Sequence, residues 1–196
     1  QLDKMKDIVD RMYDLVGDLL NQETKDSPED TLIKISDYEQ ITDNIQKEIT
    51  VFLIHLSENS LTNDESQLAQ SLMRIADELE SIADYLERLA KYTMRSELSD
   101  VLSGEGKVDF FKFYHQVKDF YVDISNNIKS SDNVDLSIVH RKSEELRLRA
   151  QTIRKKYLDR VAKGKLDPLS SLTYSDMVVA IRKIRSHTQN VAEAHV

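Results

Sequence analysis

The chain has 196 residues, 27 of them basic and 35 acidic, for a net charge of −8; 32% of residues are charged and none is cysteine. The acidic excess argues against nucleic acid or an anionic membrane surface as the main partner, and the lack of cysteine excludes disulfides, thiol catalysis and thiolate metal sites. Four Gly and two Pro favour long helices over turn-rich sheets, and no run approaches the roughly 20 apolar residues of a membrane span or forms a signal peptide.

Apolar residues recur at helical spacing in six blocks. The first helix is expected from Leu2 to Leu20, with Met5, Ile8, Val9, Met12, Leu15, Val16 and Leu19 on one face. Ser27-Pro28 reads as an N-cap followed by Pro at the first helical position. It opens a second helix carrying Ile35, Tyr38, Ile41, Ile45, Ile49 and Phe52 and ending near Leu56. Ser57 to Gln67 reads as a polar connector, and a third helix follows with Leu68, Leu72, Ile75, Leu79, Ile82, Ala83, Leu86 and Ala90.

Gly104 and Gly106 mark the segment after Ser99 as a linker near the midpoint of the chain. A fourth helix then carries Phe110, Phe113, Val117, Phe120, Tyr121 and Ile124, with a polar break at Ser130-Ser131-Asp132-Asn133. The fifth carries Val139, Leu146, Ala150, Ile153 and Tyr157 and is basic from Arg147 to Lys156; Gly164 to Ser171 closes it. The sixth bears Met177, Val178, Ile181, Ile184, Val191 and Ala192. The expected fold is therefore all-α, six helices as two tandem three-helix bundles: residues 1–98, a linker at 99–107, and residues 108–196. An offset of 102 residues lays Leu79, Ile82, Leu89 and Ala90 on Ile181, Ile184, Val191 and Ala192, which suggests an internal duplication.

Two E-x-x-x-D pairs carry the chemistry: Glu39 with Asp43 and Glu80 with Asp84. Residues four apart share one side of a helix, so their oxygens can converge on one cation. Measured from the middle of the apolar stripe, Glu80 and Asp84 fall at roughly 100° and 140°, and Glu39 and Asp43 at roughly 120° and 160°, which faces them outward. A metal there would be a surface ion held by hard oxygens, suiting iron, manganese, magnesium or calcium, with Asp77 one turn away as an addition.

No histidine completes the Glu-x-x-His motif of a buried di-iron enzyme. His140 and Glu144 form an i,i+4 pair near where Glu39 and Asp43 would map in the second half. No phosphate loop, nucleophile elbow, H-E-x-x-H or EF-hand motif is present, so no catalytic residue is assigned.

The segment Arg74-Ile75-Ala76-Asp77-Glu78-Leu79-Glu80-Ser81-Ile82-Ala83-Asp84-Tyr85 resembles the R-I-A-x-D-L-E-R-I-G/A-D-H/Y helix of PhoU proteins. Asp37 to Asp43 is similar to its partner E-x-x-x-D helix, and Ser186 to Glu193 to the second-copy motif D-H-A-x-N-I-A-E. The resemblance implies a non-enzymatic regulator of phosphate uptake with metal ligands Glu39, Asp43, Glu80 and Asp84. In the second half, Arg182 and Ser186 stand where Glu80 and Asp84 map, so a second metal cluster is not expected.

PhoU-like domains also form the cytosolic C-terminal part of bacterial sodium/phosphate cotransporters. The unequal motifs and the start at Gln1 fit that setting. The expectation is a cytoplasmic segment held at the inner face of the cell membrane by a fused or partner transporter, with no membrane insertion of its own and a homodimer among its assemblies. A free-standing adaptor between a phosphate importer and a sensor kinase is the alternative, and a carboxylate-metal enzyme a lesser one.

Overall fold

The computed structural model describes residues 1–58, 61–95, 101–130, 134–164 and 168–195. Among them six helices form: α1 (Leu2–Asn21), α2 (Pro28–Ser57), α3 (Asn63–Thr93), α4 (Gly104–Ser130), α5 (Leu136–Ala162) and α6 (Pro168–His195). The described residues contain no strand.

Local signals start and stop these helices. The Ser27 hydroxyl accepts from the Asp30 amide at 3.0 Å, and Pro28, which has no amide hydrogen to satisfy, takes the first turn of α2. Helix α3 opens five residues before the expected Leu68, inside the segment read as a connector. The reason is a capping box: Thr62 Oγ1 accepts from the Glu65 amide while the Glu65 carboxylate accepts from the Thr62 amide. Asp135 caps α5 in the same manner, accepting from the amides of Ser137 and Ile138. Helix α1 ends where Gln22 turns left-handed at φ 62°.

The expected linker at 99–107 also needs correcting. Its first two residues, like the polar break at 131–133, lie outside the described residues. Val101 and Leu102 are buried, and α4 already begins at Gly104. Gly106 sits in that first turn because a Cβ there would stand 3.2 Å from the Tyr157 ring of α5. Gly106 thus serves close packing, whereas Gly104 has open space around it and supplies a left-handed backbone turn at φ 52°. Pro168, expected to close the fifth helix, stands at the start of α6.

Helices α1, α2 and α3 pack on one another, as do α4, α5 and α6, and the most extensive contact of all joins α3 to α6. The buried apolar residues of both halves form one continuous cluster, from Met5 and Ile35 through Leu79, Ile82 and Leu86 to Phe113, Ile181 and Ile184. Helices α3 and α6 run antiparallel: Arg74 meets Glu193 at 3.4 Å, while farther along α3 Glu78 meets His187. Tyr85 stacks on His187 with ring centres 5.5 Å apart. Those two residues are 102 apart, so the duplication places its own counterparts face to face across the α3–α6 contact.

Not every residue of the expected stripes reaches the core. Ile41, Phe52 and Leu68 are exposed, and with Val51, Ile54 and Leu56 they make the outer side of α2 and its neighbourhood unusually apolar. A helix flanked by only two others buries a narrow strip, and Ile35, Ile45 and the small Thr42 suffice to fill it.

Candidate functional site

The four predicted carboxylates meet along the seam between α2 and α3. Glu39 and Asp43 come from α2, Glu80 and Asp84 from α3, and all four are half-buried instead of facing fully outward. Asp43 and Asp84 have side chains 32% and 27% exposed. Helical angles measured on single helices could not register that α2 and α3 each shade the other's flank.

Their electrostatics show mutual proximity. Burial, and after it the charges of Asp84, Asp43 and Glu39, hold the Glu80 carboxyl above the ordinary glutamate range. Glu39 is raised in the same way, by burial first and then by Glu87, Asp43 and Asp84, with Lys91 working in the opposite direction. Among the described residues neither Glu39 nor Glu80 carries an ion pair.

The two aspartates do. Lys47 Nζ reaches Asp43 Oδ2 at 2.6 Å, and Arg88 grips Asp84 through both oxygens, at 3.0 Å from Nε and 2.8 Å from the terminal nitrogen. Glu87, a buried carboxylate that sequence reasoning missed, extends the acidic seam; it accepts from Ser36 Oγ at 2.7 Å and pairs with Lys91 at 2.6 Å. Its signal was legible in hindsight, since it lies one turn beyond Asp84 on the α2 side. Asp77 does not join the group: it is exposed, and Gln46 Nε2 donates to its Oδ1 at 2.5 Å.

With those pairs closed, no three His, Asp or Glu side chains among the described residues are arranged to hold a metal ion. The donor chemistry nonetheless fits a hard cation: four carboxylates from two adjacent helices, two of them pushed toward protonation by burial first and then by neighbouring negative charge. Opening the site requires Lys47 and Arg88 to swing aside. Both are i,i+4 partners at an exposed rim, where solvent screens such a pair and little opposes its opening.

The raised acids predict a pH response. A carboxyl whose folded pKa exceeds its unfolded value holds a proton that the unfolded chain has already lost, so these two groups subtract stability as pH rises from about 4.3 through their raised values. Glu80→Gln, in metal-free buffer, is expected to be more stable than the parent at pH 7 by a few tenths of a kcal/mol. The gap should shrink as pH falls toward 4.3, as read from urea midpoints at both values. A variant less stable than its parent at neutral pH would contradict the repulsion.

The second half has no matching acidic seam. Laid over one another by their buried positions, Thr31, Ile35, Thr42 and Ile45 of α2 fall on Val139, Ser143, Ala150 and Ile153 of α5 at one constant shift. That register puts Arg147 and Gln151 where Glu39 and Asp43 stand, so the expected His140–Glu144 counterpart is corrected. Glu144 is taken by Arg147 through two contacts of 2.6 Å, and His140 Nε2 lies 2.9 Å from Glu193 Oε1 instead.

Comparison with protein families decides the kind of domain. Residues 2–93 match the PhoU domain. The first half, with all four carboxylates, is thus similar to a PhoU domain. No curated protein and no solved structure matches the chain.

Proposed function

We propose that this is a non-enzymatic regulatory domain of phosphate transport, acting as the cytosolic part of a sodium/phosphate cotransporter. The observation that carries this reading is the PhoU match over α1–α3, the segment that also holds the acidic seam. The unequal second half supports the cotransporter setting over a free-standing adaptor: its counterparts of the four carboxylates are Arg147, Gln151, Arg182 and Ser186. No helix among the described residues is long and apolar enough to cross a membrane, so the transporter would contribute the spans.

The contact with the transporter is assigned to the apolar outer side of α2, where Phe52 is 65% exposed and Val51 and Ile54 are more than half exposed. Cells lacking this domain should accumulate phosphate without restraint when external phosphate is high. Phe52→Ser with Ile54→Ser should reproduce that phenotype without changing the melting temperature of the isolated domain. Normal uptake control in both strains would sink the reading.

A metal ion belongs to the same proposal, with Glu39, Asp43, Glu80 and Asp84 as the residues that would hold it. Iron, manganese, magnesium and calcium all suit such oxygens; bound, the ion would offset the carboxylate repulsion that, after burial, raises Glu39 and Glu80. At about a hundred times its Kd it would stabilise the fold by about 2.7 kcal/mol. Melting with added manganese should therefore shift upward in the parent and stay fixed in Glu80→Ala/Asp84→Ala, with metal content falling in parallel. Equal shifts in both proteins would remove these residues from the ligand set.

A further inference from the structure

We propose that the seam between α5 and α6 is a binding site for a phosphoryl-bearing small anion, held between Arg182 on α6 and Arg154 and Lys155 on α5. The seam contains a cavity of about 360 Å³, whose walls also include Gln151, Asp159, Leu158 and Val178. Three cations thus face one carboxylate around a space that is partly apolar.

Ion pairing is uneven along α5. Arg147 is bound to Glu144, Arg149 and Lys156 share Asp109, and Arg160 holds Glu105 at 2.7 Å. Arg154 and Lys155, which face the cavity, have no ion pair among the described residues, and neither has Arg182. Arg141 and Lys142 have no ion pair among the described residues either, but they line a separate cavity nearer the start of α5, so Arg154 and Lys155 are the bases of α5 left uncompensated at this one.

The position of the cavity strengthens the case. It occupies the counterpart of the acidic α2–α3 seam, with Arg182 in the place of Glu80 and Gln151 in the place of Asp43. The cavity reaches one turn beyond that point, to Arg154 and Lys155, which stand in the places of Gln46 and Lys47, so positive charge gathers beside the position where the other half gathers negative charge. The excess is felt nearby: Arg185, half-buried beside the seam, has its guanidinium pulled below the ordinary arginine value, by burial first and then by Arg182 and Arg147. Its Nε is buried with no hydrogen-bond partner. An anion in the cavity would relieve that repulsion.

The ligand's chemistry follows from the lining. Two guanidinium groups and an ammonium suit phosphoryl oxygens, which guanidinium can bind through two parallel hydrogen bonds. The cavity exceeds the space of one tetrahedral ion, and its apolar wall at Ala150, Leu158, Val178 and Val179 offers contact to an organic group. Inorganic phosphate and a phosphate ester share the required chemistry and are separable by experiment. The inference rests on the α5–α6 seam alone and stands whether or not the acidic seam holds metal.

Calorimetric titration of the full chain would use inorganic phosphate, adenosine 5′-monophosphate and adenosine as probes. Saturable binding of one or both phosphorylated probes, weakening with added salt, with none for adenosine, is expected. Tighter binding of the monophosphate identifies an ester as the natural ligand class, and equal affinities identify free phosphate. Arg182→Gln should weaken binding about tenfold or more, the loss of one charge-assisted contact. Lys155→Gln, a fully surface change, should weaken it in the same direction, while Arg141→Gln, outside the cavity, should not. The proposal is overturned if neither phosphorylated probe saturates below 10 mM, or if Arg182→Gln and Lys155→Gln bind as Arg141→Gln does.

Discussion

Tyr114→Ala is expected to destabilise the chain by about 3–5 kcal/mol, the range for truncating a large aromatic in a packed core. Tyr114 is 1% exposed and belongs to α4, yet it packs across the boundary between halves. Its hydroxyl donates to the Tyr13 carbonyl of α1 at 2.6 Å, and its ring lies 6.1 Å from that of Tyr13. The ring lies against Gly17, where even a Cβ would sit at an ordinary contact distance of 3.7 Å. Tyr114→Phe, which keeps the ring and loses one hydrogen bond, should cost only about 1 kcal/mol. Because the buried cluster runs through both halves, urea unfolding of either variant should remain one transition that moves bodily to lower urea. A split transition, with α1–α3 unmoved, would show that the halves fold independently.

The fold was legible because core-facing residues recur with the helical period in all six helices, and period survives without knowledge of neighbours. Helix ends were less legible. The start of α3 lay in Thr62 and Glu65, a capping signal hidden within a polar stretch, and Gly106 read as slack where α4 packs tightly on Tyr157. Periodicity also overstates burial: it aligned Ile41, Phe52 and Leu68 with true core residues, but the width of the buried strip depends on how many helices cover it.

The acidic residues of the α2–α3 seam could be picked out from the sequence, but their setting could not. Two E-x-x-x-D pairs can be seen in the chain, but their convergence depends on α2 and α3 meeting at that height, and that is a tertiary fact. The same holds for the second half. Arg182 was visible at the position of Glu80, whereas the register of α5, which brings Arg147 and Gln151 to the places of Glu39 and Asp43, became readable only from the burial of Val139, Ser143, Ala150 and Ile153.

Glu78→Ala should cost about 1–3 kcal/mol, the penalty for stranding polar groups in a contact that has no other partner to offer them. Glu78 holds α3 to α6 at the point where the duplicated helices cross. Its Oε2 lies 2.7 Å from His187 Nδ1, its Oε1 accepts from Asn190 Nδ2 at 3.0 Å, and the side chains of Glu78 and His187 are only 16% and 22% exposed. Removing the carboxylate leaves His187, already fixed against Tyr85, and Asn190 without their acceptor. Glu78→Gln keeps the shape and one acceptor oxygen, so it should recover part of the loss, as urea midpoints for the two variants would show. Since α3 carries Glu80 and Asp84 and α6 carries Arg182, loosening this junction should also disturb both seams together. The manganese-induced rise in melting temperature and the affinity for the phosphorylated probe should fall in the same variant. Loss of one response with the other intact would mean that each seam is positioned by its own three helices and that the α3–α6 contact serves stability alone.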